Sequence, residues 1–249
     1  MNTARRWIGG ILALLGRRPW PVALALSLIG WLALPLAMQG LMLPAICTSA
    51  WNAANGLNSA FTVNAPGQLV TAWTAMLLAM LPPMVAVPIM RLRDNALRRN
   101  RQMLVAVFVL GYGGVWLAAG LLALVLSGLL AQTASPFVIA AALTALWHGS
   151  PARQCVLNGC HRRPLLRAFG RQAVADTLRH GLRSGSLCVA ACLPLMLLSA
   201  RAGGVHLAAM ALAGLWLAVE RQLPPRPPRW LLPRRPVPRW EAAPYALST

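Results

Sequence analysis

The 249-residue sequence contains no lysine, and its acids number four: Asp94, Asp176, Glu220 and Glu241. Against them stand 23 arginines, for a formal net charge of +19, although only 11% of residues are charged. A soluble domain carries about 25% charged residues, so an ordinary soluble domain is excluded. A basic nucleic-acid-binding domain is excluded as well, because the stretches between arginines are too long and too apolar to be solvated, and no nucleic acid partner is expected. No carboxylate falls inside an apolar run, which weighs against a proton-coupled transporter that relays through Asp or Glu. A phosphate loop, a nucleophile elbow and paired carboxylates are all missing. No residue argument supports an enzyme.

What the sequence does contain is apolar length. A membrane-spanning helix needs about 20 mostly apolar residues, and six runs qualify or nearly qualify: Trp20 to Met42, Leu69 to Met90, Gln102 to Leu130, Pro136 to Trp147, Gly185 to Ala200 and Gly203 to Glu220. The fourth is short enough to be re-entrant or to extend through His148. Arginine placement tests the count independently, since positive charge is retained on the cytoplasmic side. All but one of the arginines fall in the N-terminal segment, the second-to-third connection (Arg91 to Arg101), the fourth-to-fifth connection (Arg153 to Arg183) and the tail; Arg201 stands alone on the other side. The expectation is an all-α polytopic transmembrane bundle of six spans with both ends in the cytoplasm, in a bacterial inner membrane. Its parts are a basic N-terminus over 1–19, a transmembrane domain over 20–222 and an extended Pro/Arg-rich tail over 223–249. The lipid bilayer and its anionic headgroups are the expected partners of the basic segments. The charge-free connection from Leu43 to Gln68, rich in Asn, reads as an outer loop.

Chemistry is left to five Cys, four His and ten Met. On the fifth run Cys188, Cys192 and Met196 recur at intervals of four, which aligns two thiols and a thioether along one helix face. A rise of 1.5 Å per residue puts them roughly 7, 13 and 20 Å inward from Arg183. Met76, Met80 and Met84 repeat the interval on the second run, and His206 and Met210 on the sixth. Met76, Met196 and Met210 fall at one depth and Met80 level with Cys192, so three helices converge on a sulfur-lined column. Thiolate and thioether ligands select monovalent copper, with zinc the second choice. For Met alone, core filling is the commoner use; the Cys pair and the intramembrane His206 point beyond packing. Cys155 and Cys160, with four residues between them in the Arg-rich connection, are expected as reduced thiols on the cytoplasmic side that receive or release the ion. His148 and His180 read as interface histidines, and Glu220 with Arg221 as a helix-end anchor.

A series of residues along 70–222 carries a family resemblance. Trp73, Met76, Ala79, Met80 and Pro82 are followed by Gly111, Tyr112 and Trp116, then by Pro151, Arg153, Cys155, Cys160, Arg162 and Pro164. Gly185, Cys188, Cys192, Leu195, Met196, Gly204, Met210 and Glu220–Arg221 complete the series. In this order they resemble an uncharacterised family of bacterial predicted metal-binding integral membrane proteins. Ala191 stands where the family pattern has a further Cys, Leu193 where it has Trp, and Val205 with His206 where it has Met-Asn. The resemblance implies metal handling without implying a mechanism. Together with the residues it yields metal candidates Cys188, Cys192, Met196, Met80, Met210, His206, Cys155 and Cys160, a copper or zinc ion as ligand, and a membrane or metal-delivery protein as partner. The alternative is a membrane subunit or scaffold whose Cys and Met only pack and whose basic loops bind lipid or protein.

Overall fold

The computed structural model describes residues 19–38, 66–131, 133–161, 167, 170–221 and 223–230. Most of the basic N-terminal segment, the charge-free connection as far as Ala65, Arg162 and Arg163, and the tail beyond Trp230 lie outside the described residues. Within them the chain forms seven α-helices and no strand. They are α1 (Trp20–Met38), α2 (Pro66–Asn95), α3 (Arg101–Ala131), α4 (Pro136–Gly149), α5 (Pro151–Cys160), α6 (Gly170–Ala200) and α7 (His206–Glu220), with a short 3-10 turn at Gly203–Val205 before α7.

Four of these, α1, α2, α3 and α6, are long and apolar enough to cross a membrane. Helices α4 and α7 are shorter, 14 and 15 residues, and at 1.5 Å per residue they reach only about 21 and 22 Å against a hydrocarbon core of about 30 Å. The outer surface is apolar to match. Leu110 is 72% exposed, Leu212 68% and Leu32 67%, an arrangement that water disfavours and lipid accommodates.

Two differences from the sequence expectation are structural. The Arg-rich connection after α4 is largely helix. Ser150 adopts an extended conformation and its hydroxyl oxygen accepts the Arg153 amide hydrogen, while Pro151 occupies the first turn. This is the start signal that opens α5. Downstream, α6 runs for 31 residues and takes Arg171, Arg179 and Arg183 into its first half. The prolines of α2, Pro82, Pro83 and Pro88, lie inside one continuous helix.

Packing follows small residues. The broadest contacts join α3 to α6 and α1 to α2. Between α3 and α6 the backbones touch at glycine: a Cβ on Gly181 would stand 2.6 Å from the Phe108 carbonyl oxygen, and one on Gly185 3.1 Å from that of Tyr112. Small residues four apart are how helices approach closely without a water-driven force between them. Between α1 and α2, Ser27 donates a hydrogen bond to the Ala79 carbonyl. The core cluster at the centre of these contacts contains Met80, Met84, Phe108, Tyr112, Trp116, Cys188, Cys192, Met196, Met210 and Leu217.

Candidate metal centre

The Gly181–Gly185 seam presses α6 onto α3 one turn before the cysteines, so Cys188 and Cys192 face inward. Cys188 is wholly buried and Cys192 is 1% exposed. Their sulfurs lie 3.7 Å apart. On the α3 side, the Tyr112 hydroxyl and the Trp116 indole nitrogen are the polar groups beside the Cys188 sulfur. Both are buried, and neither has a partner in hydrogen-bond geometry.

Thioethers surround this pair. Met80, Met84, Met196 and Met210 are buried in the same cluster, and Met76 packs against it. The Met80 methyl reaches α7 where Gly214 leaves room, since a Cβ there would stand only 3.2 Å from it. Met196 lies one helical turn beyond Cys192, about 6 Å along the axis. Thus Cys188, Cys192, Met80, Met196 and Met210, from three helices, share one core.

The remaining candidates fall elsewhere. His206 opens α7, one helical turn before Met210, and is not among the buried core residues around the thiol pair. Its Nε2 is buried without a hydrogen-bond partner. Cys155 and Cys160 are parted by the helix that the sequence reading took for a loop. Five residues of α-helix rotate them by about 140°, leaving Cys155 exposed and Cys160 partly buried. Among the described residues, no group of three or more His, Cys, Asp and Glu is gathered tightly enough to hold a metal ion. His148 Nδ1 donates to the Thr144 carbonyl at 3.0 Å, and the His180 ring packs against Phe108 at 5.3 Å.

Arg221 is the residue whose role the sequence understated. One of its guanidinium nitrogens lies 3.6 Å from the Cys160 sulfur, and its charge acts on Cys188, Cys192 and Tyr112 as well. The neighbouring carboxylate is engaged elsewhere: Glu220 takes a bidentate ion pair with Arg153, whose side chain is 3% exposed. Among the described residues no carboxylate pairs with Arg221, and its Nε is buried without a hydrogen-bond partner. Burial pushes the Cys160 thiol up from its ordinary value, with the Arg221 charge opposing. So the guanidinium touches the third thiol, and the buried pair lies within reach of its charge. The helix-end anchor expected from Glu220–Arg221 is in fact divided, Glu220 serving α5 and Arg221 serving the sulfurs.

This end of the bundle is tied by backbone contacts. Arg91 from α2 donates to the His161 carbonyl at 3.0 Å, and the His161 Nε2 lies 3.1 Å from the Arg221 carbonyl. The Asn158 amide grips the tail at both polar groups of Arg226, donating to its carbonyl at 2.8 Å and accepting from its N–H at 3.3 Å. The tail here, Pro224–Trp230, is without regular structure, as its alternating prolines require. Between it, α5 and α7 lies a cavity of about 180 Å³ lined by Gln154, His161, Glu220 and Arg226 among others.

No curated protein and no solved structure matches the chain. A family model described as copper chaperone, PpoB2, matches residues 70–233. The matched stretch begins at α2 and carries every sulfur and arginine of the centre just described. The chain therefore belongs to the PpoB2 copper chaperone family.

Proposed function

We propose that the chain is a non-catalytic, membrane-embedded chaperone that holds monovalent copper on Cys188 and Cys192 and passes it to a delivery partner at the α5 end. In this reading all six apolar helices lie in a bacterial inner membrane with both termini on the cytoplasmic side. The short α4 and α7 are accommodated there by local thinning of the bilayer. The observation that carries the proposal is the pair of buried thiols 3.7 Å apart in a cluster otherwise furnished with thioethers. Hard ions find no oxygen cage there. Soft sulfur donors in a low-coordinate arrangement suit Cu(I), and zinc, which wants four ligands, is the poorer fit.

Met80, Met196 and Met210 supply auxiliary thioether contacts along the column, and Cys160 is the exchange thiol through which copper enters or leaves. The exposed Cys155 is the first contact for a donor or acceptor.

The test is competition with bicinchoninate under anaerobic reduction, using detergent-purified protein. Wild type should withdraw one Cu(I) per chain, and the Cys188→Ser/Cys192→Ser chain should withdraw none at the same chelator concentration. Equal withdrawal by both chains rejects the buried pair as the site. No withdrawal by either favours a scaffold whose Cys and Met only pack.

A further inference from the structure

We infer that Arg221 sets the valence of the ion the thiol pair accepts, favouring a monovalent over a divalent cation. The inference rests on the Cys188–Cys192 site proposed above and deepens it. It begins from an imbalance of charge. At the α5 end of the bundle Arg91 donates to the His161 carbonyl, while Arg153 and Arg221 stand beside a single carboxylate, Glu220. Arg153 takes it in a bidentate pair. Arg221 is left with a buried Nε that has no partner and a guanidinium nitrogen 3.6 Å from a thiol sulfur. A guanidinium stays protonated at any physiological pH, and an uncompensated charge away from water is costly. The groups within reach of its field are Cys160, Cys188, Cys192 and Tyr112, so an anion is required where only thiols and a phenol stand.

Metal binding supplies that anion in one case and not in the other. When a monovalent ion binds, both thiols release their protons to solvent and the product, one metal with two thiolates, carries a net charge of −1. Arg221 neutralises it. When a divalent ion binds by the same displacement of two protons, the product is neutral and Arg221 remains uncompensated. Cu(I) and Zn(II) share a filled d shell, as do Ag(I) and Cd(II), and all are thiophilic, so beside preferred coordination number it is the charge that separates the members of each pair, and only the charge term answers to Arg221. The unpaired Tyr112 hydroxyl and Trp116 N–H beside Cys188 act in the same direction. As donors they favour the sulfur that keeps most negative charge, the one bound to the monovalent ion.

The test measures Ag(I) and Cd(II) affinities for the purified full chain in detergent, by competition with a chelator of known affinity for each ion, in wild type, Arg221→Gln and Arg221→Lys. In wild type, Ag(I) should be preferred by far more than in Arg221→Gln. The Ag(I):Cd(II) ratio should fall at least about 10-fold on removal of the charge, a modest share of what one neighbouring unit charge supplies in a protein interior. Arg221→Lys, which keeps the charge, should hold the ratio within about threefold of wild type, a difference well under 1 kcal/mol. A ratio unchanged in Arg221→Gln, or lost equally in Arg221→Lys, overturns the inference while leaving copper binding at the cysteines intact. If wild type binds neither ion at the cysteines, the copper reading itself falls. Should Arg221→Gln not fold, judged by gel filtration and helical circular dichroism, the two cationic chains decide: preference for Ag(I) in both supports the inference, and Cd(II) matching Ag(I) in either overturns it.

Discussion

Replacing Glu220 by Gln isolates one buried ion pair and asks what it contributes. Glu220 accepts two hydrogen bonds from Arg153, one of them at 2.8 Å, and the arginine side chain is 3% exposed while the glutamate is 21% exposed. Glutamine keeps one acceptor but turns an NH2 toward a guanidinium, so one charge-assisted bond is lost and a buried cation is left without its counter-charge. Breaking such a pair from one side costs about 3–5 kcal/mol, and the partial exposure of Glu220 places the expected loss near the lower end, about 3 kcal/mol. In a chain of this size each kcal/mol shifts the thermal midpoint by about 2–4 °C, so the variant should melt about 6–12 °C below wild type. The assay is tryptophan fluorescence on heating in detergent, for which the ten tryptophans are ample reporters. Because the penalty belongs to the stranded cation, the double change Arg153→Met/Glu220→Leu should recover most of the loss. A Glu220→Gln midpoint within about 1 °C of wild type, or a double variant no better than the single, would refute the reasoning.

Three further outcomes follow from the same geometry. Gly181→Ala places a Cβ 2.6 Å from the Phe108 carbonyl oxygen where ordinary contact begins at 3.4 Å, so α3 and α6 must part and stability should drop by about 1–3 kcal/mol, read as a lower melting midpoint; an unchanged midpoint contradicts the seam. The Cys160 thiol is pushed up by burial, so alkylation by iodoacetamide should label exposed Cys155 first at neutral pH and Cys160 only as pH rises. Because the folded state holds that proton more tightly than the unfolded state, this thiol's contribution to stability is present below the ordinary thiol range and fades as pH climbs through the raised value. Equal labelling rates at neutral pH would argue against the buried setting. Asn158→Ala removes both amide contacts to Arg226, and trypsin should then cut after Arg229 faster than in wild type, with unchanged cleavage excluding the clamp.

The apolar runs were legible because helices long and apolar enough to cross a membrane stand out by composition alone. Helices α2, α3 and α4 start and stop within a few residues of the sequence expectation, and the spacing of Cys188, Cys192 and Met196 placed them on one inward face. What composition did not reveal was that α5 exists, because three arginines, a glutamine and two cysteines from Arg153 to Arg163 read as a loop. The Ser150–Pro151 start signal was the local clue. Nor did it separate Cys155 from Cys160, which a helix sets on different faces. Arg221 was hardest to read, since an arginine after an apolar helix is ordinarily an anchor. Its role depends on which cation Glu220 pairs with, and that choice is made where α5, packed on α6, holds Arg153, a residue 67 positions from Glu220. The Gly181–Gly185 spacing could have been read directly as a close-packing signal.

The central claim is that copper is held by the buried cysteine pair. X-ray absorption at the copper edge of the Cu(I)-loaded full chain tests it most directly. The account predicts a first shell made of sulfur alone in wild type, with the short metal–thiolate contribution lost in Cys188→Ser/Cys192→Ser. A shell of nitrogen or oxygen, or a sulfur shell that survives the double substitution unchanged, would contradict it.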